Sequence, residues 1–161
     1  MKFIKSSITL FLMFFVAVSA AHAQGGQMMQ PPEPASPDSV SEKELQKFAN
    51  VTDSAQSIQK EVQSKVQTLV EDEGMEFARF QKIMMSQQNP QADSLDTSQE
   101  EMKTIKAIQP KLMQINKQAQ QQFVQLIRSE GLTPQRFQAI MRGVQTNKEL
   151  QQRLQSVQSE S

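Results

Sequence analysis

The chain has 161 residues and balances 17 basic against 17 acidic side chains, and it contains no cysteine, tryptophan or tyrosine. This length suits one domain with a modest core, and the balanced charge argues against nucleic acid or an anionic membrane as the main partner. The only histidine, His22, lies near the N-terminus. The rest of the chain therefore lacks thiolates, imidazoles and the usual pairs of nucleophile and base.

The first residues have the pattern of a secretory signal peptide. Two lysines precede an apolar segment over 8–18, and Ala21-His-Ala23 forms a small-x-small cleavage site. We predict a signal peptide over 1–23, cleaved between Ala23 and Gln24, and hence an exported protein that is periplasmic or extracellular. The alternative is a retained N-terminal anchor. Because no apolar segment reaches about 20 residues, no integral membrane span is expected after signal removal.

Residues 24–39 are predicted to form a disordered linker. This segment contains four prolines and two adjacent glycines and shows no apolar periodicity. Met28 and Met29 are soft ligands of the kind that bind Cu(I), but two thioethers without a third ligand make a weak site. We therefore expect no metal and no cofactor.

After the linker, one stretch of sequence occurs twice at an offset of 57 residues, because 66–84 matches 123–141. We predict a helical domain over 40–157, with repeat one at 40–88, repeat two at 97–145 and a C-terminal helix at 147–157. The signature that the two copies share consists of Gly74, Arg79, Phe80 and Ile83 in the first and Gly131, Arg136, Phe137 and Ile140 in the second.

Each repeat begins with a capping box, Ser41-Glu-Lys-Glu44 in the first and Ser98-Gln-Glu-Glu101 in the second. Apolar residues then recur every three or four positions as far as Gly74 and Gly131, where a left-handed residue can end a helix. The pattern predicts one long helix in each repeat.

A short helix follows each of these glycines. Its start is most explicit in the second copy, where Thr133 is a suitable N-cap and Pro134 suits the first helical position. Pro110 lies inside the second long helix, so we expect a kink or a break near Ile108.

The predicted fold is all-α: two tandem long-helix/short-helix repeats form an antiparallel four-helix bundle with a short C-terminal helix. Neither long helix can bury its apolar stripe alone, so each needs a partner helix. The 27 glutamines are scattered through coiled-coil-like apolar heptads, which favours a solvated helix face over a prion-like tract.

Two groups of charged residues are candidates for function. Glu71-Asp72-Glu73 at a helix C-terminus is either a divalent cation site or a solvated helix end, and we favour the second because only Glu73 recurs, as Glu130. The recurring arginines, Arg79 and Arg136, either pair with these two glutamates and fix the angle between long and short helix or bind anions. We favour pairing.

Aromatic and acidic side chains give no catalytic site. The phenylalanines share stripes with leucine and isoleucine, which favours core packing over a stacking surface; they are Phe48, Phe77, Phe80, Phe123 and Phe137. Di-iron chemistry in a bundle needs Glu-x-x-His on two helices, and no histidine follows the signal peptide. We therefore expect no catalytic residue and no enzyme.

Three stretches resemble a bacterial family of secreted helical proteins known as a domain of unknown function (number four-one-six-eight). They are Val40-Ser-Glu-Lys-Glu-Leu-Gln-Lys-Phe48, Gly131-Leu-Thr-Pro-Gln-Arg-Phe-Gln-Ala-Ile140 and Leu150-Gln-Gln-Arg-Leu154. The resemblance implies secretion and supplies no activity. A weaker likeness is to periplasmic chaperones of the Spy and CpxP type, whose signature Leu-Thr-x-x-Gln is similar to 132–136, although Arg136 replaces the final glutamine.

The leading functional hypothesis is an exported, non-enzymatic helical protein that binds an unknown protein partner or assembles into a homo-oligomer. An ATP-independent periplasmic holdase chaperone is the alternative, because eight methionines in the mature chain offer adaptable apolar surface. A carboxylate-based enzyme or cation binder is a more distant alternative.

Overall fold

The structure, a computed structural model, describes residues 32–88 and 95–159. Its elements are a 3₁₀ turn (Pro37–Ser39) and five helices: α1 (Glu42–Asp72), α2 (Phe77–Gln88), α3 (Gln99–Ser129), α4 (Pro134–Thr146) and α5 (Lys148–Ser159). No strand occurs in these two ranges. The predicted signal peptide, its cleavage site at Ala23 and Gln24 and the Met28-Met29 pair lie outside the described residues.

Both long helices begin with the predicted capping box. The Ser41 hydroxyl accepts a hydrogen bond from the Glu44 amide at 3.2 Å, and the Glu44 carboxylate accepts one from the Ser41 amide at 3.1 Å. The corresponding distances between Ser98 and Glu101 are 3.1 and 2.8 Å. The sequence therefore fixes the first turn of each long helix locally.

Both long helices end at a glycine in the left-handed region, with φ 79° at Gly74 and 74° at Gly131. The two ends have the same Schellman pattern, in which the next residue donates back to the helix: Met75 N to Val70 O at 3.1 Å and Leu132 N to Ile127 O at 3.1 Å. Each donating residue also joins the same apolar cluster as its acceptor. The chain therefore turns the same corner twice before each short helix.

The long helices α1 and α3 pack against each other antiparallel, so the start of one lies beside the end of the other. This arrangement produces two apolar cores. The first core combines the N-terminal half of α1 with the C-terminal part of α3, α4 and α5. The second core combines the C-terminal part of α1 with α2 and the N-terminal half of α3. The predicted fold class is confirmed.

Two details differ from the sequence predictions. First, α3 is continuous through Pro110, so of the kink or break predicted near Ile108 the break does not occur. Proline has no amide hydrogen, so the Lys106 carbonyl has no donor within the helix. Both residues are exposed, and water can donate to this carbonyl instead. Second, residues 32–40, placed mostly in the predicted linker, lie against the bundle: Ala35 is buried and donates its amide to Ala139 O at 2.9 Å.

The first core is closed by this N-terminal strap, residues 32–40, together with α5. Asn147 caps α5 by accepting from the Glu149 amide at 2.9 Å. Arg153 of α5 donates to the carbonyls of Pro37 and Val40 at 2.9 and 2.8 Å. A Cβ at Gly143 would collide with Ala35 O and would lie 2.9 Å from Leu150 Cδ1. Glycine at this position therefore permits the strap and α5 to approach α4.

Replacing Gly74 by alanine tests whether the turn between α1 and α2 requires a left-handed residue. We expect a free energy of unfolding lower by about 1 kcal/mol, because an L-residue in the left-handed region costs about 1–2 kcal/mol. Nothing lies within 4 Å of a Cβ built at Gly74, so the loss reports on the backbone alone. Urea unfolding followed by circular dichroism measures it. Gly74→Asn is the matched control and should lose less, since asparagine tolerates this conformation. An unchanged free energy of unfolding in Gly74→Ala would contradict the left-handed conformation of this residue.

Candidate functional site

Two arginines of the repeat signature hold the two repeats together. Arg136 of α4 donates from Nε and Nη2 to the two carboxylate oxygens of Glu44 at 2.8 and 3.1 Å, and Nη2 also donates to Ser39 O. Arg79 of α2 makes the same contacts with Glu101, at 2.6 and 3.0 Å, and with Asp96 O at 2.7 Å. We call each set an arginine clamp.

The two clamps are equivalent under the repeat offset, residue for residue, and they are exchanged between the repeats. The arginine of repeat two binds the capping box of repeat one, and the arginine of repeat one binds the capping box of repeat two. Each capping glutamate therefore caps the start of its own long helix and also receives a bidentate guanidinium from the other repeat. The antiparallel packing of α1 and α3 produces the exchange.

The predicted pairing of these arginines with Glu73 and Glu130 is wrong. Glu73 forms an ion pair with Lys111 of α3 at 2.7 Å, and Glu130 accepts from Asn50 of α1 at 3.1 Å. Both glutamates lie at the end of a long helix, where their side chains reach the neighbouring long helix rather than the short helix beyond the turn. Sequence reasoning missed Glu44 and Glu101 as partners, although both recur at the same offset as the arginines.

The clamps also set the charge state of their carboxylates. The Arg136 guanidinium, followed by the Ser41 amide, lowers the pKa of Glu44 from 4.5 to about 2. The Arg79 guanidinium, followed by the Ser98 amide, lowers the pKa of Glu101 from 4.5 to about 2. The four side chains keep between 23 and 32% of their surface exposed. Because both guanidiniums already hold a carboxylate, the geometry favours the structural interpretation over anion binding.

The remaining signature residues lie in the two cores. Phe80 and Ile83 are buried in the second core, and Phe137 and Ile140 are buried in the first. The Phe137 ring lies 4.9 Å from that of Phe48, stacked, and 5.5 Å from that of Phe123, edge to face. These rings therefore pack against each other and against aliphatic side chains rather than forming a stacking surface.

Two polar features of the surface already contact side chains of the same chain. A groove of 420 Å³ lies between α1 and α3, and its lysines, Lys65 and Lys111, pair with Glu61 and Glu73 at 2.6 and 2.7 Å. In the acidic cluster, Glu71 accepts from Gln67 at 2.9 Å while Glu73 holds Lys111. Within the described ranges, no three acidic residues converge as metal ligands would.

The methionines are distributed unevenly between the two ends of the bundle. Of the six in the described residues, five lie in or beside the second core, and we call this end the methionine end; they are Met75, Met84, Met85, Met102 and Met113. Only Met141 lies at the first core. Met85 and Met113 keep 70 and 73% of their surface exposed. Sequence reasoning counted the methionines but did not locate them.

The fold and its exchanged clamps define a small all-α protein built from two duplicated helical corners. None of the helices in the described ranges is long and apolar enough to cross a membrane. A family model described as "Domain of unknown function (DUF4168)" matches residues 7–94 and again 87–154, so that each match contains one repeat. The chain belongs to this family. Searches of curated proteins and of solved structures found no match.

Arg136→Gln tests whether the clamp stabilises the fold. We expect the free energy of unfolding to fall by about 1 kcal/mol, the upper range for a partly exposed ion pair, because the contact is bidentate. A double-mutant cycle with Glu44→Gln, measured by urea unfolding, isolates the pair from other effects of each substitution. A coupling energy of zero would show that the clamp does not hold the repeats together.

Acid should weaken both clamps together. Because the folded-state pKa values of Glu44 and Glu101 lie below 4.5, their contribution is complete above that pH and is lost as the pH falls towards about 2. We expect the Tm to fall across this range more steeply in the wild type than in Glu44→Gln/Glu101→Gln, whose glutamines cap without titrating.

Glu42→Gln/Glu100→Gln is the matched control for the acid experiment. It removes one acid from the first turn of each long helix and leaves both clamps intact. This variant should follow the wild-type profile of Tm against pH. Equal acid sensitivity of Glu44→Gln/Glu101→Gln and the wild type would mean that other carboxylates cause the loss.

Proposed function

We propose that this protein is an exported, non-enzymatic helical protein that binds other proteins through its methionine end. The observation that carries the proposal is the exposure of Met85 and Met113 beside the second core. Thioether side chains are flexible and polarisable, so they adapt to apolar partners of varied shape. Export rests on the signal-peptide pattern over 1–23.

The difference between the two ends of the bundle supports binding at the methionine end. Arg142 occupies the position equivalent to Met85 and donates to Pro32 O of the strap at 3.3 Å. The position equivalent to Met113 is the exposed polar residue Gln56. Each of the two most exposed apolar side chains of the methionine end therefore has a polar residue at the equivalent position of the other repeat. A partner that covers Met85 and Met113 would remove this surface from water.

Binding is tested with the mature chain immobilised through its C-terminus in an envelope extract. We expect Met85→Gln/Met113→Gln to lose a partner that the wild type retains at fixed stoichiometry, while Met85→Leu/Met113→Leu retains it because leucine keeps the apolar surface. Quantitative mass spectrometry measures the retained partner. Equal retention by the wild type and the glutamine variant would overturn the proposal, and so would retention of no partner by the wild type.

A holdase chaperone is the second candidate function, and it uses the same exposed methionines. The two functions differ in client range, because a holdase suppresses aggregation of an unrelated, reduced and unfolding protein without ATP. We expect no suppression at equimolar concentration and a defined oligomeric state by light scattering. Suppression that is lost in Met85→Gln/Met113→Gln would instead assign the holdase function to the methionine end.

A further inference from the structure

The face of α1 that α5 covers has an open counterpart on α3. At the first core, Leu45 and Ala49 of α1 are buried together with Leu150 and Leu154 of α5. The equivalent residues on α3, at the offset of 57, are Met102 and Lys106. Met102 is half-buried and Lys106 is exposed. Within residues 32–88 and 95–159, no helix occupies the position on α3 that α5 occupies on α1.

A stripe of side chains runs along this open face of α3. Met102, Lys106, Gln109 and Met113 recur at intervals of four, three and four residues, which places them on one side of the helix. Lys117 continues the stripe by four more residues, and Lys103 lies at its edge. We call these six residues the open face. It combines two methionines with three lysines at the spacing that an antiparallel or parallel partner helix would use.

The charges of the long helices select the kind of helix that fits. Helix α1 carries six acidic and four basic residues, and the α5 helix packed on it carries two basic and one acidic residue. Helix α3 carries only two acidic residues, Glu100 and Glu101, against five basic ones. Glu101 is already held by Arg79. Because the open face carries three lysines and no acidic residue, charge complementarity favours a partner helix with an excess of carboxylates.

A second copy of α5 does not fit this face. That helix is itself basic, and its approach to α4 requires Gly143, where a Cβ would lie 2.9 Å from Leu150 Cδ1. The equivalent residue on α2 is Ser86, which has a Cβ. Docking of α5 from a second copy on the open face would therefore meet both a steric and an electrostatic obstacle.

We infer that the open face of α3 binds an acidic amphipathic helix of another protein, with the methionines contacting its apolar stripe and the lysines its carboxylates. The inference rests on the proposed function, whose partner class it specifies. Within the described ranges, Lys103, Lys106 and Lys117 form no ion pair with another residue, so they are available to such a helix.

The test measures binding of two labelled helical peptides to the full mature chain by fluorescence anisotropy. Both peptides carry leucines at positions i, i+3, i+4 and i+7, and their flanks are glutamate in one and lysine in the other. We expect the glutamate peptide to bind at least about tenfold more tightly than the lysine peptide. Equal affinity of the two peptides, or no binding of the glutamate peptide, would overturn the inference.

The variant Lys103→Glu/Lys106→Glu should weaken binding of the glutamate peptide by about tenfold. Lys43→Glu/Lys60→Glu changes the same number of exposed charges on α1 and should leave the affinity within twofold. Circular dichroism confirms that both variants fold. An unchanged affinity in Lys103→Glu/Lys106→Glu would overturn the inference even if the peptide binds.

Two further results separate the possible outcomes. Binding to phosphatidylglycerol vesicles that exceeds binding to the glutamate peptide and is lost in Lys103→Glu/Lys106→Glu would assign the open face to a membrane surface and overturn the inference. Partner capture that requires Met85 and Met113 but tolerates Lys103→Glu/Lys106→Glu would overturn the inference about the open face and leave the proposed function standing. Capture that tolerates both pairs of substitutions would overturn the proposed function as well.

Discussion

The exchanged arginine clamps are the constraint on which the arrangement of the repeats depends. Each capping glutamate accepts from the backbone amide of the N-cap serine of its own long helix and from the arginine on the short helix of the other repeat. Helix initiation and repeat docking therefore share one carboxylate. Because Arg79 and Arg136 also bind the carbonyls of Asp96 and Ser39, each clamp fixes the chain leading into a long helix as well as its first turn. Neither repeat completes this site alone.

The clamps are symmetric, but the layers outside them are not. At the first core, Gly143 lets the strap and α5 reach α4, and Ala49 is small enough to be buried beneath α5. Their counterparts at the methionine end are Ser86 and Lys106, one with a Cβ and the other with a long charged side chain. A third difference at an equivalent position is the exposed Met113 in place of Gln56. The asymmetry therefore combines these side-chain differences with α5 and the strap, which pack at the first core.

Local signals account for most of what could be predicted from the sequence. The capping boxes, the left-handed glycines and the Thr133-Pro134 start each act within one helical turn, so their residues identify the helix ends directly. The arginine partners are 92 and 22 residues apart in sequence, and identifying them required knowing that α1 and α3 run antiparallel. The strap contains prolines and no apolar periodicity, a pattern that predicts a linker. It docks instead through one backbone amide, Ala35 N, and through side chains of α4 and α5 that lie far away in sequence.

The difference between the two ends bears on how a small duplicated protein can bind a partner without losing stability. Exposed apolar surface favours association, but in a bundle of this size it also removes contacts from the core. The first core, with its strap, α5 and aromatic cluster, is covered by elements of the chain itself. Each clamp joins residues of both repeats within one end of the bundle, Arg136 and Glu44 beside the first core and Arg79 and Glu101 beside the second. Helix α3 therefore has Met102 and Lys106 where α1 has Leu45 and Ala49. The arginine clamps and the buried phenylalanine and isoleucine of the signature are nevertheless the same in both repeats.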